Sequence, residues 1–265
     1  CIFMSGHSKW STIKHKKELN DAKKGKVFSK LSVEITHAAR KGGGDPEMNP
    51  TLRLYIDKAK AAGFPIDKIQ KAIEKGVGGG DSGVTYEEIT FEGFGHGGVQ
   101  VLVDILTDNR NRTVAELRRL FEEIGGRLAE NGSVSWNFDT KGLIILRSGH
   151  MEKAEKFGAE DKYVKENREE VMMKLMDIKG VEDIREVDLD SIEGIEVYTK
   201  FTDLAHVRDE IEKLGYVIEE ADIIKEPKVT KQLSGADFAR AQEGLERLDD
   251  HNDVQNVWSN LEEVN

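Results

Sequence analysis

The residues best equipped for chemistry stand near the start of the chain, between Met4 and Lys30. Lys9, Lys14, Lys16, Lys17, Lys23, Lys24, Lys26 and Lys30 are offset there only by Glu18 and Asp21, and Trp10 sits among the first lysines. Ammonium groups pair with phosphates and an indole plane stacks on unpaired bases, so this mixture suits contact with a nucleic acid. The same residues also describe a solvated tail in which Trp10 is a packing anchor. On charge alone the two readings stand level.

Other constellations carry less. Gly93-Phe94-Gly95-His96-Gly97-Gly98 has the letters of a dinucleotide loop. That loop needs a helix after it, so that the helix N-terminus meets the pyrophosphate, and here a strand-like run from Val99 to Val103 follows. A hairpin turn at positive φ fits better, with His96 an exposed loop residue. His7, His15 and His37 match no compact metal finger, and the single cysteine, Cys1, cannot complete a ligand set. In Glu87-Glu88, Glu219-Glu220 and Asp249-Asp250, adjacent carboxylates on extended backbone point to opposite faces, which suits charged surface better than a shared acid/base task. No nucleophile elbow or P-loop is present. The sequence therefore points to no enzyme, no cofactor, no metal and no small-molecule substrate. Thr107 to Thr113 places Arg110 and Arg112 near a helix N-terminus whose amides favour anions. They form a secondary candidate set, weighed evenly against a hydrogen-bonded loop with two solvated arginines.

The 265 residues suffice for two or three domains, and 38% hydrophobic with 34% charged residues describes a well-solvated protein with modest cores. The formal charge of −11 is unevenly distributed. Residues 1–79 hold 16 Lys and Arg against 8 Asp and Glu, a net of +8, while residues 80–265 hold 23 against 42, a net of −19. One region is built to attract a polyanion and the other to repel it. Apolar runs such as Val99–Leu106 are too short to span a bilayer, and no secretion signal is visible, so a cytoplasmic protein without membrane contact is expected. Met4 reads as the start, and Cys1-Ile2-Phe3 receive no role.

Helical spacing of Phe28, Leu31, Ile35 and Ala38 predicts a helix over about 20–41, stopped by Gly42-Gly43-Gly44-Asp45-Pro46. Asn49-Pro50 opens a second, with Leu52, Tyr55, Ile56 and Ala59 inward. A third begins at Pro65, with Ile66, Ile69 and Ile73 inward. The glycine-rich stretch 77–83 reads as a linker and a domain boundary. Strands are predicted over 85–91 and 98–106, then a helix opened by the capping box Thr113-Val114-Ala115-Glu116 with Val114, Leu117, Leu120, Phe121 and Ile124 buried. Strands at 133–138 and 143–146 follow. A helix over 160–178, strands 182–188 and 194–200, a helix 203–214 and a strand 216–225 complete a split βαβ pattern. The strand–strand–helix–strand unit before Phe138 lacks a helix and an edge. The C-terminus supplies them as Val229–Leu233, Ala236–Leu248 and Val254–Trp258, so the last strand should pair with 99–103.

The motifs then resemble a known family. Met4-Ser5-Gly6-His7-Ser8-Lys9-Trp10, Ile13-Lys14-His15 and Lys24-Gly25-Lys26-Val27-Phe28-Ser29-Lys30-Leu31 are similar to the opening of the YebC/PmpR family. Gly42 to Pro46 with Asn49-Pro50, Phe91-Glu92-Gly93-Phe94-Gly95 with Gly97-Gly98, Thr107 to Thr113, and Asp253-Val254-Gln255-Asn256-Val257 continue the match over essentially the whole chain. Val33, Thr51 and Ile66 stand where the family commonly has basic residues. The resemblance implies a helical N-terminal domain followed by two α+β domains, and no cofactor. Bacterial members are DNA-binding transcriptional regulators of the cytoplasm. A mitochondrial relative activates translation of a respiratory oxidase subunit, and some bacterial members are ribosome-associated translation factors.

The expectation is thus an α+β protein: a small helical bundle (1–79), an α/β sandwich (80–138 plus 228–265) and a ferredoxin-like domain inserted in it (139–227). Lys9, Trp10, Lys14, His15, Lys16, Lys17, Lys23, Lys24, Lys26 and Lys30 would contact DNA, RNA or the ribosome. No helix-turn-helix spacing is evident, which keeps translation close behind transcription as the setting.

Overall fold

The computed structural model describes residues 21–78, 86–152, 162–189 and 192–264. Most of the basic opening segment and most of the glycine-rich linker lie outside these residues. By contacts the chain divides into two compact units, Cys1–Asp139 with Glu226–Asn265, and Thr140–Lys225.

The first unit begins with α1 (Asp21–Gly42), α2 (Pro50–Ala61) and α3 (Ile66–Val77). Leu31, Ile35 and Ala38 of α1 meet Leu52, Ile56 and Ala59 of α2 and Ile69, Ala72 and Ile73 of α3 in one core. Asn49 explains the α1–α2 corner. Its Oδ1 accepts from the Leu52 amide at 3.1 Å as N-cap, and its Nδ2 donates to the Ala38 and Gly43 carbonyls at 2.9 and 2.8 Å. One buried side chain thus closes the end of one helix and opens the next. Gly76 sets the closeness of α1 and α3, because a Cβ there would lie 2.5 Å from the Thr36 carbonyl and 2.6 Å from Ala39 Cβ. Ile66, expected inward, is 75% exposed: as the first residue of α3 it overhangs the packed stripe.

A four-stranded sheet follows, ordered β10-β2-β1-β3, from β1 (Glu87–Phe94), β2 (Gln100–Thr107), β3 (Arg127–Ala129) and β10 (Val254–Ser259). The β1–β2 connection is the glycine loop, with Gly97 and Gly98 at φ of 67° and 77°, so the hairpin reading holds. Leu117 and Phe121 of α4 (Arg110–Glu123) and Ala241, Leu245 and Leu248 of α7 (Gly235–Asp249) cover one sheet face. Val254–Ser259 pairs antiparallel with β2, as closure of the sheet required. Two short strands, β9 (Lys231–Leu233) and β11 (Leu261–Glu263), pair in parallel beside it.

Two local expectations fail here. The segment 133–138 forms a turn of 3-10 helix, Ser135–Asn137, instead of a strand. Its amides are spent on the buried Glu92 carboxylate, which accepts from Gly132, Val134 and Ser135 at 2.8, 2.5 and 2.9 Å. Burial pushes the Glu92 carboxyl up, but these bonds outweigh it and hold the group below its ordinary range. Helix α4 also begins a turn earlier than the Thr113 capping box implies. Asn109 is the N-cap, accepting from the Arg112 amide at 3.1 Å, and the Thr113 hydroxyl is drawn elsewhere.

In the second unit, β4 (Phe138–Glu152), α5 (Arg168–Met176), β6 (Val181–Leu189), β7 (Ile192–Lys200), α6 (Leu204–Lys213) and β8 (Tyr216–Pro227) give the spatial order β8-β4-β7-β6. The first strand lies between the third and fourth, as a split βαβ sandwich requires. Val171, Leu175, Val207 and Ile211 of the helices pack on Ile144, Leu146, Ile195 and Val197. The helix expected over 160–178 is shorter. Lys162–Lys165 is instead strand β5, paired antiparallel with 149–152, and Asn167 caps the helix proper. An available strand edge overrides the weak local preference of Lys-Tyr-Val-Lys.

Candidate nucleic-acid interface

Lys9, Trp10, Lys14, His15, Lys16 and Lys17 lie outside the described residues, as does His7. Lys23 falls within α1. Lys24 is exposed there. Lys26 and Lys30 are already engaged. The Lys30 ammonium donates to the Asp249 carbonyl at 2.6 Å and lies 3.6 Å from the Asp249 carboxylate. Lys26 reaches the Asp250 carbonyl at 3.3 Å and its carboxylate at 3.6 Å. Both therefore cap the C-terminal end of α7, where the last carbonyls and the helix dipole favour cations.

Farther along α1, Lys41 bonds Glu88 at 3.1 Å and His37 Nε2 lies 3.5 Å from the same carboxylate. Glu87 turns the other way and receives Arg110 at 3.0 Å, so the adjacent carboxylates do serve opposite faces. Sequence reasoning treated Asp249-Asp250 and Glu88 as plain charged surface. The available signal was the basic spacing 26, 30, 37 and 41, which falls on one side of a helix.

Arg112 is built into a tighter arrangement. Its guanidinium bonds Asp253 at 2.9 Å and Asp108 at 2.9 Å. The same Asp253 oxygen accepts from the Thr113 hydroxyl at 2.6 Å and the Thr107 hydroxyl at 3.1 Å. Burial pushes the Asp253 carboxyl up, yet bonds from Thr113, Arg112 and Thr107 win and hold it below its ordinary 3.8. The hydrogen bond to Asp253 in turn raises the Arg112 guanidinium. This group pins the start of α4 to the start of β10. Glu116, His251 and Asp253 bring ligand atoms within 4.8 Å of one another. His251 spends Nε2 on Glu116 and Nδ1 on the Asp253 amide, so hydrogen bonding accounts for the cluster.

The α2–α3 connection is a four-residue turn, 62–65, with Gly63 at φ 74°. That is the connection length of a helix-turn-helix, which sequence spacing alone does not reveal. Lys68, Lys71 and Lys75 are exposed at i, i+3 and i+7 on α3, beside its buried stripe. No helix among the described residues is long and apolar enough to cross a membrane.

Comparison with known proteins agrees with this architecture. Residues 8–79 match the family model described as the TACO1/YebC protein N-terminal domain. Residues 86–261 match the model of the TACO1/YebC second and third domain. A probable transcriptional regulatory protein of Geotalea uraniireducens is 46% identical over 260 residues, 98% of this chain and 96% of the relative. One of Dictyoglomus turgidum is 43% identical over 259 residues, again 98% and 96%. The crystal structure of a conserved hypothetical protein from Aquifex aeolicus superposes with a TM-score of 0.78 at 38% identity, covering 96% of each chain.

Proposed function

The chain belongs to the TACO1/YebC family, and from that premise we propose that it is a cytoplasmic, non-enzymatic regulator of transcription that works by binding DNA. The observation that carries the reading is the charge polarity: net +8 on residues 1–79 and −19 on the remainder. A polyanion is attracted to one end and oriented by repulsion from the other. The relatives' name, probable transcriptional regulatory protein, supports regulation as the outcome. The four-residue connection of α2 and α3, with Lys68, Lys71 and Lys75 exposed on the second helix, supports a duplex as ligand. Within this reading, residues 1–79, 80–138 with 228–265, and 139–227 act as three domains. Lys9, Lys14, His15, Lys16, Lys17, Lys23 and Lys24 contact phosphate, and Trp10 stacks.

A second reading, a translation factor on ribosomal RNA, is favoured by Trp10. An indole stacks best on bases that are not already stacked in a duplex. Anisotropy titrations of the full chain with a 20-base-pair duplex and a 20-nucleotide RNA separate the two. Replacing Lys14, Lys16 and Lys17 by Ala should weaken both and lower the salt slope by roughly 2–3 units, at 0.7–0.9 per phosphate contact. Trp10→Ala should cost about 1–3 kcal/mol on RNA and less on the duplex if the second reading is right. Loss of thermal stability with unchanged affinity would return Trp10 to a packing role.

A further inference from the structure

Lys26, Lys30, His37 and Lys41 are separated by four, seven and four residues. At 3.6 residues per turn they fall within about 60° of one another around α1 and span about 22 Å. Every one of them meets an acidic group of the sheet-forming part of the first unit. Lys26 and Lys30 take Asp250 and Asp249, and His37 and Lys41 take Glu88. Three lysines and a histidine in a row, with carboxylates set along them, have the chemistry of a protein–phosphate contact, with carboxylates in place of phosphates. One strand of a duplex presents about six phosphates over such a length, at 3.4 Å each.

We propose that this face of α1 is a second nucleic-acid contact held closed by an autoinhibitory intramolecular mimic, in which Glu88, Asp249 and Asp250 stand in for phosphates until a nucleic acid displaces them. The inference rests on the nucleic-acid reading above and adds a regulatory device to it. The strength of the contact suits displacement. The Lys26–Asp250 and Lys41–Glu88 pairs are solvent-exposed, whereas Lys30 and His37 are largely covered, with 17% and 18% of their side chains accessible. Exposed pairs of this kind contribute little and yield to competing charge and to salt. The stripe is also separate from α1's bundle face, where Leu31, Ile35 and Ala38 pack. Opening it therefore leaves the three-helix core intact. Lys24 lies on the far side of α1 from Lys26, off this stripe.

The test uses the full-length chain, a labelled 20-base-pair duplex and a 20-nucleotide RNA, titrated at 50 and 200 mM KCl. Neutralising the mimic with Glu88→Gln, Asp249→Asn and Asp250→Asn should tighten binding about three- to thirtyfold at low salt. The salt slope should steepen by up to about 3 units as stripe cations become free for phosphate. A control variant, Glu122→Gln, Glu130→Gln and Glu243→Gln, removes the same charge from exposed positions and should gain much less. Equal gains in both variants, or none in the first, would overturn the mimic while leaving the nucleic-acid reading in place. Absence of binding by the wild-type chain and by both variants would overturn both. Hydrogen exchange of the wild-type chain supplies a second readout. Adding duplex should speed exchange at the end of α7, residues 248–253, and unchanged or slowed exchange there at saturation would count against displacement.

Discussion

Arg112 with Asp253 and Lys30 with Asp249 are both cation–carboxylate contacts between segments more than 100 residues apart, and they do opposite jobs. Asp253 accepts from a guanidinium and two threonine hydroxyls, all at one oxygen, with only 16% of its side chain accessible. Among the described residues Asp249 meets one flexible ammonium, whose shortest bond goes to a backbone carbonyl. The first contact fixes two elements in one geometry, because several short, fixed donors must be satisfied together. The second can part without leaving a buried polar group stranded, since water replaces what is lost. The lesson is that charge sign does not distinguish a fastening from a catch; the number of donors and their access to water do.

Asp253 is the most sensitive of these positions. Asp253→Asn should cost about 2–4 kcal/mol in urea unfolding, since hydrogen bonds to charged groups are each worth about 1.5–3 kcal/mol and several partners are affected together. Its pH dependence follows from a carboxyl held below 3.8. The stabilisation is complete above that ordinary value and is lost as pH falls through the lower folded value. The gap between wild type and variant should therefore be constant from pH 5 to 7 and shrink in the acid range. A gap of under half a kcal/mol at pH 7 would remove Asp253 from the fastening class.

Glu92 fastens through backbone amides, with no cation against it among the described residues. Glu92→Gln keeps one acceptor and loses the charge that three backbone amides share, so a cost of roughly 1.5–3 kcal/mol is expected. The exposed Trp136 ring, whose indole N–H bonds the Ser133 carbonyl, reports on the same loop. Its fluorescence anisotropy should fall in the variant. Unchanged stability and anisotropy together would show the loop to be held by other contacts.

The smallest effect belongs to the catch. Asp249→Asn with Asp250→Asn should change urea stability by less than about 1 kcal/mol, and raising salt from 50 to 500 mM should shrink even that. A larger, salt-insensitive loss would move Lys30 and Asp249 into the same class as Arg112 and Asp253.

These contrasts also explain what could be read in advance. The stripes Leu31-Ile35-Ala38 and Leu52-Ile56-Ala59, the Asn49 cap and the glycine hairpin are local, and the helical period or a positive φ declares them. The pairing of β10 with β2 was legible because an unfinished sheet edge demands a partner. Strand β5 was not, since Lys162–Lys165 becomes a strand only by meeting β4. The 133–138 turn escaped for a similar reason: its amides answer to Glu92, some 40 residues earlier. At the interface, the lysine run was visible in composition. The partners of Lys26 and Lys30 were not, because residues more than 200 positions away provide them.

The pairing of Val254–Ser259 with Gln100–Thr107 has a consequence in time. The sheet's outer strand is synthesised nearly 150 positions after the strand it must join. At 5–20 residues per second the nascent chain waits roughly 7–30 s with one flank of β2 unpaired. Until Gly235–Asp249 is made, most of that interval, Val101, Val103 and Ile105 also lack α7 above them. The inserted unit, contiguous from Thr140 to Lys225, has all its strands early enough to fold first. A chain interrupted before Val254 would carry one finished unit and one open sheet, a template for unwanted pairing between copies.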